Sequence, residues 1–114
     1  MEEKFKELQK ENRIRVITNN QELTVDKDLN VEIPYSCGYK ETWHFLKILE
    51  HTQDYEALLF KDIMFQKRLT CNGHCNNRLK LLKLKPRKNE KDLQELWNLE
   101  HGLKGKADVI IRVV

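Results

Sequence analysis

Three potential metal ligands lie within five consecutive residues of this chain. Cys71, His74 and Cys75 are spaced C-x2-H-C, and thiolate and imidazole groups are the ligands that zinc takes in four-coordinate sites. Cys37 or His44, spaced C-x6-H further upstream, could complete a set of four. The pattern contains no C-x2-C pair, so it differs from the commonest zinc-binding spacings.

The residues between these ligands predict a turn that would separate them. Asn72-Gly73 between two strand-like runs is typical of a type I′ β-hairpin turn. Such a turn would place Cys71 and His74 opposite each other, whereas Cys75 would point to the other face of the hairpin. The first interpretation is therefore that the chain binds no cofactor. The alternative is a zinc ion bound by Cys71, His74 and Cys75.

A basic segment covers residues 67–91. It holds nine Lys or Arg and a single acid, Glu90, although the net charge of the whole chain is only +3. A charge block of this kind favours an anionic partner, and the excess of lysine and the lack of aromatic residues favour phosphate contact over base recognition. Solvated cations beside acidic neighbours of the same fold are the alternative. The candidate nucleic-acid contacts are Arg78, Lys80, Lys83, Lys85, Arg87 and Lys88.

Other features exclude several classes of protein. The chain has no Ser/His/Asp ordering, no paired carboxylate motif and too few glycines for most nucleotide-binding loops. His51 and His101 fit the C-terminal ends of helices. Three cysteines, an odd number, suit a reducing compartment. The charged residues 1–13 do not form a signal peptide, and no apolar run could span a membrane. We therefore expect a cytoplasmic protein with no membrane partner.

The periodicity of apolar residues predicts one α+β domain over residues 1–114, with a small antiparallel or mixed sheet and about three helices packed on it. Asn89, with Asp92 three residues later, is typical of a helix N-cap, and Gly102 is typical of the residue that follows a helix. Helices are predicted at 4–13, 39–51, 55–66 and 89–101. The helix at 55–66 would follow an Asp54 cap, and two short strands are the alternative for this segment. Strands are predicted at 13–18, 21–25, 30–33, 78–86 and 107–114.

The stretch GLKGKAD, residues 102–108, resembles a local element of RecB-type nucleases in the PD-(D/E)xK superfamily. In that family a GLKGKxD stretch leads into a strand. The resemblance implies that Asp108 is a metal ligand and that Gly102 and Gly105 permit a tight approach to the strand. The family's E-x-K strand has no counterpart in VIIRVV, residues 109–114. The resemblance therefore implies a truncated or inactive relative. The alternative is an ordinary closing strand, in which Asp108 caps or pairs and is not catalytic.

Three functions remain open from the sequence. The first is a small non-catalytic regulatory protein that binds the phosphate backbone of a nucleic acid through residues 67–91. The second is a protein-interaction module, an inhibitor or adaptor, that recognises an acidic protein surface or forms a homodimer through its apolar C-terminal strand. The third is the relative of a metal-dependent nuclease.

Overall fold

The computed structural model describes residues 2–50, 58 and 64–114. Most of the predicted helix at 55–66, its Asp54 cap and His51 lie outside these residues. The last three residues of that predicted helix, 64–66, belong to a strand instead.

Within the described residues the chain forms an α+β fold, as predicted. All strand pairs are antiparallel. The elements in chain order are α1 (Glu2–Lys10), β1 (Ile14–Thr18), β2 (Gln21–Leu23), β3 (Asn30–Pro34), β4 (Lys40–His44), α2 (Phe45–Ile48), β5 (Met64–Thr70), α3 (Gly73–Leu84), α4 (Glu90–Glu100) and β6 (Lys106–Val113).

The main sheet has four strands in the order β2-β1-β6-β5, and β3 and β4 form a separate two-stranded sheet. Strand β6 pairs with β1 on one side, where Val16 faces Ile111, and with β5 on the other, where Arg68 faces Asp108. Because both edges of β6 are hydrogen-bonded within the chain, this strand has no free edge to offer a second copy.

Alternating burial explains why the last strand forms at the centre of the sheet. Ala107, Val109, Ile111 and Val113 are buried, and the residues between them face outward or are only partly buried. This period of two is the pattern of a strand that covers a core with one face. The predicted strand at 107–114 is therefore confirmed.

The predicted helix at 39–51 is wrong over most of its length. Residues 40–44 form β4, which pairs with β3 so that Trp43 faces Val31, and α2 is a single turn. The Trp43 indole donates a hydrogen bond to the Tyr35 hydroxyl at 3.0 Å. Pairing with an apolar neighbouring strand outweighs the helical spacing of the apolar residues here.

The predicted hairpin turn at Asn72-Gly73 and the predicted strand at 78–86 are also wrong. Helix α3 begins at Gly73 and runs to Leu84. Its Cys75 and Leu82 are buried and Leu79 is partly buried, which is the spacing of one helical face. Leucine and lysine are strong helix formers, so the intrinsic preference of this segment allows a helix. The packing of its apolar face on α4 then stabilises the helix over a strand.

Helix α4 begins and ends as predicted. The Asn89 side chain accepts a hydrogen bond from the Asp92 backbone at 2.8 Å, and the Asp92 carboxylate accepts one from the Asn89 backbone at 3.3 Å. These two bonds form a capping box. His101 is the C-cap residue, and Gly102 follows it with a φ of +75°, a conformation that favours glycine.

Helices α3 and α4 pack on each other and form what we call the helical arm, residues 73–100. The molecule measures 55 × 23 × 22 Å with a radius of gyration of 17.3 Å, whereas a compact domain of this length has about 13 Å. The protein is thus elongated.

Among residues 2–50, 58 and 64–114, no helix combines the length and apolar character needed to cross a bilayer.

The contact between α1 and α2 predicts a large loss of stability on truncation. Phe5 is fully buried, and its ring meets that of Phe45 edge to face with centroids 5.1 Å apart. We expect Phe5→Ala to lower the free energy of unfolding by about 3–5 kcal/mol, because it leaves a cavity in the core. Urea unfolding monitored by circular dichroism measures this, with the exposed Glu7→Ala as the control. Equal midpoints for the two variants would contradict the packing described.

Candidate metal centre

Four potential ligands converge between the helical arm and the β3–β4 hairpin. The ligand atoms of Cys37, Cys71, His74 and Cys75 all lie within 4.8 Å of one another. Ligand atoms around a tetrahedral zinc ion with Zn–S bonds of about 2.3 Å are separated by about 3.8 Å, so the cluster has nearly the dimensions of such a site. The structure brings together all three residues of the zinc alternative, and Cys37 rather than His44 joins them.

His44 serves another purpose. Its Nδ1 accepts a hydrogen bond from the Leu46 backbone at 3.2 Å, which caps α2, and its Nε2 lies 3.4 Å from a Glu2 carboxylate oxygen. Both ring nitrogens therefore face groups outside the cluster.

The start of α3 gathers three of the four ligands. His74 and Cys75 lie in the first turn of the helix, and Cys71 lies two residues before it. The expectation that Cys75 points away depended on the hairpin turn, which does not form.

Cys37 comes from the turn between β3 and β4. The Tyr35 backbone donates to the Tyr39 carbonyl at 2.8 Å, which closes this turn. The turn is fixed to the start of β6 by two further bonds, from the Ser36 backbone to the Lys106 carbonyl and from the Lys106 backbone to the Ser36 hydroxyl, each 2.9 Å long. These bonds hold Cys37 opposite the helix.

Gly105 allows the two sides to approach. Its carbonyl accepts from the Cys71 backbone at 2.8 Å, and its N–H donates to the Cys75 sulfur at 3.4 Å. A Cβ at this position would lie 2.8 Å from Cys37 Cβ and closer still to Cys37 Sγ. Any side chain at position 105 would therefore force Cys37 or the backbone of residue 105 to shift.

Aromatic stacking orients the imidazole. The His74 ring lies parallel to the Tyr39 ring with centroids 4.8 Å apart, and Tyr39 stacks in turn on Tyr35 at 6.4 Å. His74 Nδ1 lies 3.8 Å from Cys37 Sγ. The stack therefore directs one ring nitrogen towards the thiols.

All three cysteines are free thiols; Cys71 and Cys75 are buried and Cys37 is exposed. Burial, together with the neighbouring thiols of Cys75 and Cys37, raises the pKa of Cys71 to about 11. At neutral pH this crowded group is protonated when no cation is present. A divalent cation between the sulfurs would reverse this, because it favours the thiolate form of its ligands.

A cleft of about 370 Å³ opens beside the cluster, and its wall includes Arg78, Glu95 and Leu103. The Arg78 guanidinium meets the Glu95 carboxylate at 2.8 and 3.2 Å and lowers its pKa. The charge of this acid is therefore compensated by an arginine.

Four protein ligands would fill the coordination sphere of a tetrahedral zinc ion and leave no position for a reactive water, which is typical of structural sites.

The predicted nucleic-acid contacts divide into two groups. Three of the six cations form ion pairs with acids of α4, and the other three form no ion pair with a described residue. The paired ones are Arg78 with Glu95 at 2.8 Å, Lys83 with Glu100 at 3.9 Å and Lys85 with Asp92 at 2.6 Å; the others are Lys80, Arg87 and Lys88.

Asp108 forms an ion pair with Arg68 across β5 and β6, at 2.7 Å, which lowers the pKa of the carboxyl. Within the described part of the chain it belongs to no cluster of three or more potential ligands. The three residues that the resemblance singles out therefore each have a structural role in this fold. Gly102 follows α4, Gly105 makes room for Cys37, and Asp108 forms an ion pair with Arg68.

Gly105→Ala is expected to weaken zinc binding about tenfold or more, because the added methyl group displaces Cys37, and changes beside metal ligands commonly cost 10–100-fold. Gly73→Ala is the matched control, since a Cβ there meets nothing within 4 Å. Competition with a chromophoric chelator measures both affinities. Equal affinities for the two variants would contradict the close approach at Gly105.

Comparisons with known proteins give this centre no counterpart. No protein-family model matches the chain, and neither a curated protein nor a solved structure matches it. The function is therefore inferred from the chain's own residues and their geometry.

Proposed function

We propose that this chain is a non-catalytic zinc-binding domain, in which a structural ion joins the β3–β4 hairpin to the helical arm. The observation that supports the proposal is the convergence of four nitrogen and sulfur ligands within 4.8 Å from separate segments of the chain. Cys37 and Cys71 are 34 positions apart in sequence, yet the docking of the β3–β4 turn on β6 brings both sulfurs to the same histidine.

The donor set favours zinc over other ions. Three thiols and one imidazole match the Cys3His sites of zinc proteins. Magnesium and calcium prefer oxygen ligands, and the neighbouring acid, Glu95, is held by Arg78. Iron–sulfur clusters mostly use four cysteines, whereas the described cluster has three.

The ion would fix the direction of the helical arm. The helices α3 and α4 pack mainly on each other, so the base of the arm is where it joins the rest of the fold. At that base Cys71 and Cys75 contact Gly105, and Cys37 approaches from the hairpin. A metal that binds three segments removes the freedom of the loops between them.

Most of the core lies on elements other than the arm. Phe5, Val16, Phe45, Val109 and Ile111 come from the sheets and α1–α2, although the buried cluster also continues into Cys71, Cys75, Leu82 and Leu99. We therefore expect the metal-free chain to keep a folded sheet and to lose the fixed docking of the arm, unlike small zinc fingers that unfold completely without metal.

The proposal predicts one zinc ion per chain. Cys71→Ala or Cys75→Ala should abolish retention of this ion, because three ligands with a buried gap hold it poorly, whereas His44→Ala should retain it. Elemental analysis after desalting measures the stoichiometry. Removal of the ion with a chelator should lower the melting temperature by about 10 °C or more if zinc is present at about 1,000 times its Kd.

Cobalt substitution identifies the ligand set. Three thiolates and one imidazole should give tetrahedral Co²⁺ with thiolate-to-metal charge-transfer absorption, and His74→Ala should change this spectrum. An octahedral cobalt spectrum, or zinc retention unaffected by Cys71→Ala, would overturn the proposal.

A further inference from the structure

We propose that the distal end of the helical arm binds the phosphate backbone of a double-helical nucleic acid. This goes beyond the zinc centre, which lies at the other end of the arm and would hold it in place.

Charge is concentrated at the distal end. Residues 80–91 hold six Lys or Arg and one acid. Acids of α4 pair with three cations of the arm: Glu95 with Arg78, Glu100 with Lys83 and Asp92 with Lys85. Two of the six distal cations, Lys83 and Lys85, are therefore compensated, and four cations and Glu90 remain. The excess of positive charge on the arm therefore lies towards the 85–89 loop.

Four cations of the distal end form no ion pair with a described residue: Lys80, Arg87, Lys88 and Lys91. Lys80, Arg87 and Lys91 are exposed. Lys88 is partly buried and donates to the Lys85 carbonyl at 2.8 Å. Exposed cations that form no close ion pair are the groups that replace counterions along a phosphate backbone. Lys91 is the least independent of them, since, with Arg78, it helps to lower the pKa of Glu95.

The shape of the arm favours the backbone over the bases. One helix with its side chains is about 10–12 Å wide and just fills a major groove of about 12 Å. The arm is two helices side by side, joined by the 85–89 loop. Two helices side by side are wider than the major groove, so the pair would lie across the groove and contact the phosphates along the two edges of the groove.

The residue types favour a duplex over a single strand. Residues 67–91 contain no Phe, Tyr or Trp on which an unpaired base could stack, and the imidazole of His74 is already stacked on Tyr39. The exposed Trp97 lies towards the base of α4, and its ring is already stacked on His101 with centroids 4.0 Å apart. Lysine predominates over arginine, which suits point contacts with phosphate.

The test uses the zinc-loaded full chain and fluorescence anisotropy with labelled duplex DNA, duplex RNA and single strands of both, across a series of salt concentrations. Two triple variants are compared: Lys80, Arg87 and Lys91 each replaced by Gln at the distal end, and Lys10, Lys27 and Lys40 each replaced by Gln elsewhere. Both variants lose three charges, and neither changes a residue of the metal centre. The DNA and RNA duplexes distinguish the source of the phosphate.

We expect the distal variant to reduce the slope of log K against log salt by about 2 to 3, since each phosphate contact contributes about 0.9. The control variant should keep the slope. Both variants should retain one zinc per chain, so failure of this proposal is distinguishable from failure of the metal centre.

Three outcomes would overturn the proposal: no duplex binding at low salt, equal loss of slope in the two variants, or preferential binding of vesicles with anionic lipid or of a polyglutamate probe. The last would instead assign the distal end to an anionic membrane or an acidic protein, partners that could also cover the exposed Leu81 and Leu84.

Discussion

The close approach of Gly105 to Cys37 is the constraint on which the cluster of three cysteines and one histidine depends. At this point the β3–β4 turn, the start of β6 and the start of α3 meet within hydrogen-bonding distance. A position without a side chain lets the sulfur ligands come together. Gly105 is not itself a ligand, but its lack of a side chain lets the β3–β4 turn and the start of α3 meet beside β6, which brings the potential ligands together.

The helical arm separates two electrostatic environments. Near the cluster, cations and acids of α3 and α4 cancel one another across the seam between the helices, as Arg78 and Glu95 do. Towards the 85–89 loop the balance shifts to positive charge. A capping box at Asn89 and Asp92 fixes the second helix at that loop, so the cations are presented on a defined scaffold rather than on a loose chain.

The sequence predicts the fold class and the elements with strong local signals. The cap at Asn89, the glycine after α4 and the alternation of 107–113 each act over a few residues, and the structure contains all of them. The convergence of the four potential metal ligands could not be predicted in this way. Its fourth ligand depends on the docking of a turn through Ser36 and Lys106, 70 positions apart, and no local pattern distinguishes Cys37 from His44.

The two largest errors share one cause. At 39–51 and at 71–86 the local pattern allows both helix and strand, and contacts with distant partners decide. Trp43 goes into a strand because β3 lies beside it. Asn72-Gly73 does not form a turn because Cys75, Leu79 and Leu82 have a helical face to bury against α4. The wrong turn also led to the wrong geometry for the metal ligands.

The central position of β6 has a consequence for synthesis of the chain on the ribosome. Strands β1 and β5 are both made before β6, yet each of them pairs with β6 and not with the other. Until β6 emerges, β1 can pair with β2 alone, and its other edge has no partner strand. The nascent chain therefore exposes unpaired strand edges during translation, a state that is prone to aggregation and that chaperones protect.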